Sequence, residues 1–310
     1  MRVLFMGTPD FAVPSLELLH ESEQTVVGVV TVPDKPRGRG QKLRPSAVKR
    51  AAQRLQLPVY QPDDLGAPEF LSQLHELQLD LMVVVAFRIL PESCYSIPRH
   101  GAINLHASLL PEYRGAAPIQ RALMNGATRT GVSTFFLEQS VDTGAILKQE
   151  AIEVGPDENA GSVHDRLAEL GAKVVLETIH GIENNSLQPV PQQEAAAGKA
   201  PKITKQDRRI RWKNSARDVH NQIRALSPYP GAFTYWDDTQ LIIYEGRVSD
   251  DPPSETVDPG EVVSADEGSI HVATGTGGYL IMEVQPQGKR RMSAADFLNG
   301  YDLQAGTVLH

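Results

Sequence analysis

Apolar and polar positions change rhythm along the chain, and that rhythm predicts most of its elements. Arg2–Met6 is an apolar run ending in the turn Gly7-Thr8-Pro9-Asp10. Thr25–Val32 and Leu81–Phe87 are apolar and rich in β-branched residues without alternation, the pattern of strands covered on both faces. Val59-Tyr60, Ala102–Ala107, Gly131–Glu138 and Ala145–Ile152 read as further strands. The segments between them suit helices: one opened by Pro14 and running to about His20, then Ser46–Leu55, Pro68–Leu77, one opened by Pro118, and Gly161–Ile182. Strands alternating with helices predict an α/β fold, a doubly wound and mostly parallel Rossmann-like sheet.

The rhythm stops between Glu183 and about Pro201, where Asn, Gln, Pro, Ala and Gly follow one another without periodicity, as in a linker. A helix over Ser215–Leu226 comes next. Five short strand candidates follow it: Ala232–Trp236, Gln240–Val248, Gly260–Ser264, Ser269–Ala273 and Tyr279–Gln285. They predict a small β-barrel of the oligonucleotide-binding type. The expected organisation is a first domain over 1–183, a linker over 184–204 and a barrel domain over 205–310. No internal repeat is visible.

Composition narrows the class. A length of 310 residues suits two ordinary domains, and 41% hydrophobic with 22% charged residues suits a soluble globular protein. No apolar run approaches the roughly 20 residues needed to span a bilayer, so no membrane partner is expected. The N-terminus has one basic residue and runs straight into a strand, unlike a signal peptide. A single cysteine, Cys94, excludes an intramolecular disulfide and a thiolate-rich zinc site. The histidines lack metal-ligand spacing, so no metal is expected. A cytoplasmic monomer is the expectation. The net charge of −8 argues against a general polyanion binder. Two segments depart from that average, however: Asp34–Arg54 and Lys199–Arg224 each carry a net charge of +7. They could hold a polyanion locally.

Candidate chemistry sits in Gly101-Ala-Ile-Asn-Leu-His-Ala-Ser-Leu-Leu-Pro111. In a strand alternate side chains share a face, so Asn104 and His106 point together while Ile103, Leu105 and Ala107 point the other way. His106 could be a satisfied core histidine, but the paired Asn104 and the turn that follows favour function. Asp142, in the turn Ser140-Val-Asp-Thr-Gly144, is either a turn former or a third member, depending on whether the sheet brings it beside His106. Asn, His and Asp without a Ser or Cys nucleophile suit direct attack of an amine on a carbonyl carbon. That reaction needs a donor for the developing oxyanion, an acceptor for the amine proton, and a group to orient the base. Gly275-Thr-Gly-Gly278 lies between strands and reads as a hairpin turn. Gly7-Thr-Pro-Asp10 lacks the glycines of a dinucleotide cradle. Phe11 reads equally as a substrate contact or a core aromatic.

Leu4-Phe-Met-Gly-Thr-Pro-Asp-Phe11, Asn104-Leu-His106 with Ser108-Leu-Leu-Pro111, Arg114-Gly-Ala-Ala-Pro-Ile-Gln120, Val141-Asp-Thr-Gly144 and Met292-Ser-Ala-Ala-Asp296 together resemble the methionyl-tRNA formyltransferases. Ser-Leu-Leu-Pro and Asp-Thr-Gly are shared with other folate formyl enzymes; Gly38-Arg-Gly40 and Arg-Gly-Ala-Ala-Pro-Ile-Gln narrow the match. The resemblance implies that Asn104, His106 and Asp142 are catalytic. It implies too that Ser108, Leu109, Leu110 and Pro111 line the tetrahydrofolate site, that 10-formyltetrahydrofolate is the formyl donor, and that initiator methionyl-tRNA is the acceptor. Asn104 and His106 would then stabilise the oxyanion, while Asp142 fixes the imidazole and a proton-moving water. Ala86-Phe-Arg-Ile-Leu-Pro91 departs from the family's Ala-Tyr-Gly-x-Ile-Leu-Pro, being one residue shorter and without the glycine. Arg88 could meet the folate glutamate tail or be a surface cation. In Pro33–Pro45, Gly and Pro among the charges exclude a regular helix or strand. Arg39 is expected to read the acceptor end of the tRNA, with Lys42 and Arg44 on phosphates. The cluster over Lys199–Arg224, on a helix leading into the barrel, is expected to meet the tRNA backbone. Rival readings are a folate enzyme acting on a small amine and a non-catalytic RNA-binding protein.

Overall fold

A computed structural model of the protein describes residues 1–37, 42–193, 198–251, 257–266 and 268–310. The chain forms two compact units: Met1–Gly115 with Thr130–Ile152 and His164–Ala200, and Ala116–Arg129 with Glu153–Val163 and Pro201–His310.

The first unit is built on β1 (Arg2–Gly7), β2 (Thr25–Val30), a hairpin of β3 (Lys35–Arg37) and β4 (Lys42–Arg44), then β5 (Val59–Tyr60), β6 (Leu81–Val85), β7 (Ala102–His106), β8 (Arg129–Phe136) and β9 (Ile146–Glu153). Its helices are α1 (Val13–Glu21), α2 (Ala47–Arg54), α3 (Pro68–Glu76), α4 (Glu92–Tyr95) and most of α6 (Ala160–Glu183); α5 (Pro118–Met124) belongs to the second unit. Seven strands make one sheet in the order β5-β2-β1-β6-β7-β8-β9. The five from β5 to β7 run parallel, and β8 is antiparallel to β7. β1 and β6 sit at the centre with Val3–Met6 and Leu81–Val85 buried, which is why both read as unbroken apolar runs. The strand order reverses between β1 and β6, so the crevice of a doubly wound sheet opens beyond their carboxyl ends, beside the end of β7. The mostly parallel sheet is the one that the alternation predicts.

The second unit carries β10 (Ala232–Trp236), β11 (Thr239–Val248), β12 (Val262–Asp266), β13 (Ser269–Ala273), β14 (Gly278–Pro286) and β15 (Met292–Ser293) in one antiparallel sheet, order β10-β11-β14-β13-β12 with β15 on β14. Its helices are α5, α7 (Lys205–Arg208), α8 (Ala216–Leu226) and α9 (Ala294–Gly300). Val219, Ile223 and Leu226 of α8 pack on Ile243, Ile281 and Tyr279 in one apolar cluster. Ser215 and Ser293 cap α8 and α9 by accepting from the backbone of Asp218 and Asp296. The five barrel strands match their sequence candidates closely. β15 and α9 have no counterpart among the elements read from the sequence.

Two stretches join the second unit out of chain order. The Arg121 guanidinium of α5 forks onto the Asp207 carboxylate at 3.0 and 2.9 Å. Arg224 of α8 donates to the carbonyls of Gly155 at 3.2 Å and Glu158 at 3.1 Å. Arg224 is buried, and Arg208 is held by the Pro230 and Gly231 carbonyls at 2.9 and 3.0 Å. The expectation that Lys199–Arg224 lies on one helix leading into the barrel is corrected: only Lys205–Arg208 and Ala216–Leu226 in it are helical, and Arg208 and Arg224 bond backbone carbonyls. Cys94 is fully buried, and burial pushes its thiol up to about 12. Among the described residues no helix is long and apolar enough to cross a membrane.

Candidate active site

β7 ends in the crevice with Ile103 and Leu105 buried on one face and Asn104 and His106 on the other. Asn104 is half-buried, and its side chain bonds to no other described residue. His106 is 6% exposed, its Nε2 lying 2.9 Å from the Tyr113 carbonyl oxygen. A carbonyl only accepts, so Nε2 carries a hydrogen. Nδ1 turns toward Asp142, whose Oδ2 is 3.9 Å away. Asp142 reaches that place on the β8–β9 turn with a φ of +56°, and its Oδ2 accepts from the Gly115 N–H at 2.9 Å. Gly144 closes the turn where a Cβ would lie 1.7 Å from the Phe136 oxygen, so no other residue fits. The structure thus places Asp142 beside His106, on the side of β7 that carries Asn104.

The Ser108–Pro111 turn is fixed from below. The Ser108 hydroxyl donates to the Glu112 carbonyl at 2.6 Å. The Ser133 hydroxyl donates to the Ser108 carbonyl at 2.7 Å and accepts from the Leu110 N–H at 3.0 Å. Gln149 Nε2 donates to the Leu110 carbonyl at 2.9 Å and to Ser133 Oγ at 2.8 Å. Ser108 and Leu110 are buried and shape the turn, whereas Leu109 and Pro111 are half-buried and face outward in part. Sequence reasoning missed Ser133 and Gln149. Ser133 pairs in register with His106, a relation that appears only once β8 is known to lie antiparallel beside β7.

The rim loop after β6 answers the missing glycine. Ala86 takes a φ of +47°, and Ile89 is 76% exposed. Arg88 donates to the Pro62 carbonyl at 2.7 Å and the Asp63 carbonyl at 2.8 Å. It is half-buried rather than an exposed surface cation. A cleft of about 520 Å³ near β5 and α3 presents Asp63, Asp64 and Glu69, a charge that disfavours anionic ligands there.

Within Pro33–Pro45, Lys35–Arg37 and Lys42–Arg44 are paired strands, which corrects the expectation that the loop holds no regular strand. Lys35, Pro36 and Arg37 pair with Arg44, Leu43 and Lys42. Pro36 opposite Leu43 falls on the alternate position of an antiparallel ladder, where no donor is needed. Arg39 lies outside the described residues. Lys42 lies in the second arm, and Arg44 is exposed beside Leu43, itself 67% exposed. The root of the hairpin is clasped: Lys49 Nζ donates to Asp34 Oδ2 and Gln61 Oε1, each at 2.7 Å. Gln61 Nε2 donates to Asp34 Oδ1 at 2.9 Å and to the Val32 carbonyl at 2.8 Å. The bonds from Lys49 and Gln61 hold the Asp34 carboxyl below its ordinary value. Phe11 is buried, edge-on to His164 at 5.2 Å, in a core position. Gly275–Gly277 lies in the loop between β13 and β14, and Gly278 opens β14. Among the described residues no group of His, Cys, Asp or Glu could hold a metal ion.

Residues 1–179 match the family model described as formyl transferase, and residues 202–302 match the formyl transferase C-terminal domain. Fold and site together define a formyl transferase with its own C-terminal barrel. The solved N-formyltransferase from Helicobacter canadensis, in complex with folinic acid and dTDP-3-aminofucose, shares the fold with a TM-score of 0.69 at 18% identity, over 94% of this chain and 100% of that one. The methionyl-tRNA formyltransferase of Pelotomaculum thermopropionicum is 46% identical over 310 residues, covering 100% of this chain and 98% of that one. That of Geobacter sulfurreducens is 44% identical over 310 residues, covering 100% and 96%. The chain belongs to the methionyl-tRNA formyltransferase family.

Proposed function

We propose that the protein transfers the formyl group of 10-formyltetrahydrofolate to the amino group of methionyl-tRNA, the initiator species, by direct attack of the amine on the formyl carbon. The observation that carries this reading is the approach of Asp142 to His106 on the Asn104 side of β7, in a chain of this family. None of the three is a Ser or Cys nucleophile, so no covalent acyl-enzyme is needed. The new bond joins the amine nitrogen to the formyl carbon. The bond from that carbon to N10 breaks, the amine gives up a proton, and N10 gains one.

Asn104 donates its side-chain N–H to the formyl oxygen as negative charge builds there. The Nε2 hydrogen of His106 is committed to the Tyr113 carbonyl, which moves this residue from oxyanion donor toward proton carrier. The 3.9 Å between His106 Nδ1 and Asp142 Oδ2 exceeds a direct hydrogen bond. An amine nitrogen about 2.8 Å from each fits between them, so the pair can take its proton as it attacks. The folate fits the crevice chemically: Ile89, Leu109 and Pro111 offer apolar surface to its rings, while Ser108 and Leu110 hold the turn beneath. The basic segment, with Arg39, Lys42 and Arg44, supplies the charge that an acceptor stem requires. A buried, unreactive Cys94 suits a reducing cytoplasm, and the protein acts as a monomer.

Incubation with 10-formyltetrahydrofolate and methionyl-tRNA should yield formyl-methionyl-tRNA. Formylation of a small amine in preference to the tRNA, or tRNA binding without formylation, would move the reading to one of its rivals.

A further inference from the structure

We infer that Gln192, in the non-periodic stretch between the two sequence-matched domains, is a positioning residue for Asp142; this rests on the reading of Asp142 as catalytic. Gln192 is half-buried, and its amide is fully used. Oε1 accepts from Arg114 Nε at 2.9 Å and Nη2 at 2.7 Å. Nε2 donates to the carbonyls of Asp142 at 3.0 Å and Gly144 at 2.8 Å. The orientation of the amide is forced, since a guanidinium only donates and carbonyls only accept.

These bonds close a ring. The Asp142 carboxylate takes the Gly115 N–H, the neighbouring Arg114 side chain holds Gln192, and Gln192 returns to the Asp142 carbonyl. Arg114 is anchored to the same stretch by its backbone, donating to the Gly198 carbonyl at 2.8 Å and accepting from the Ala200 N–H at 2.7 Å. Val190 exchanges two 2.8 Å bonds with Ile146 of β9. The stretch is therefore docked on the turn that presents Asp142. It supplies one donor to the Asp142 carbonyl and one to the Gly144 carbonyl, which holds the turn where left-handed, non-glycine Asp142 aims its carboxylate at His106. Gln is suited to this place because one amide both accepts a fork and donates twice; Glu lacks the donors, and Asn is one methylene too short.

A double-mutant cycle with Asp142→Asn tests the inference. Gln192→Met keeps length and removes all four bonds. It should lower kcat about 10-fold while KM for folate and for methionyl-tRNA stays within twofold. In the Asp142→Asn background the same substitution should cost almost nothing, because the group it positions is already disabled. Equal losses in both backgrounds, or a loss confined to melting temperature, would overturn the inference. If Gln192→Met fails to fold, Gln192→Glu carries the same cycle, since it keeps the Arg114 contact and turns an oxygen on the two carbonyls. Near-normal turnover in Asp142→Asn alone would instead sink the reading of Asp142, which separates the two failures.

Discussion

Asn104 and His106 share a face because a strand repeats every two residues, and they meet the crevice because β7 ends there. Neither side chain holds the core together: Asn104 bonds no described residue, and His106 bonds a single carbonyl. Asn104→Ala and His106→Ala should therefore keep folate binding and lose about 10²–10³ in kcat, the usual cost of one preorganised transition-state contact. Titration calorimetry with a folate analogue beside turnover assays checks both halves. Near-normal turnover in either variant would remove that residue from the site. Asp34 makes a prediction about stability. Its carboxyl is depressed by Lys49 and Gln61, so the clasp contributes fully above the ordinary aspartate range and is lost as pH falls through the lowered value. Asp34→Asn should melt lower than the parent at pH 7 and lose less on acidification from pH 5 to pH 2. Parallel acid limbs would show that the clasp carries no such linkage. The alternation that pairs Asn104 with His106 was legible in five residues of sequence. Ser133, Gln149 and Gln192 were not, because a Ser or Gln gains its meaning from partners 16 to 78 residues away.

Among elements, the covered strands were the easiest to read. Val3–Met6 and Leu81–Val85 are buried on both faces, and only a strand sandwiched between two apolar layers hides every side chain of so short a run. The β3–β4 hairpin was not legible, since three-residue arms rich in Lys, Arg and Pro carry neither period nor β-branching. Its pairing follows from the Asp34–Lys49–Gln61 clasp, which fixes where the hairpin starts, and from antiparallel geometry, which tolerates Pro36 at an alternate position. Deleting residues 37–42 should raise KM for methionyl-tRNA and flatten its dependence on salt, each lost phosphate contact removing roughly 0.9 or less from the logarithmic slope. Folate binding should be unchanged. An unaltered tRNA KM and slope would take the tRNA away from this hairpin.

The molecule as a whole divides where contacts divide. Residues 116–129 and 153–163 belong with the barrel, tied by Arg121 to Asp207 and by Arg224 to the Gly155 and Glu158 carbonyls. A fragment ending at Ala200 would leave Ile119 and Leu123, both buried in the whole protein, without α8 to cover them. It is expected to be less soluble than the whole chain and to unfold at lower urea. A soluble fragment with the parent's urea midpoint would show that α5 needs no partner from the barrel. What the sequence determined by itself is local: apolar strands, the helices between them, and two polar side chains sharing one face. Each depends on residues a few positions apart, so the chain states it directly. Tertiary structure decided the rest. It set Asp142 3.9 Å from His106, locked its turn with Gln192 from 50 residues downstream, spent Arg88 and Arg224 on backbone carbonyls, and built a hairpin from charged arms. The reason is that a side chain's partner across a sheet is chosen by strand order and register, which no local window of residues contains.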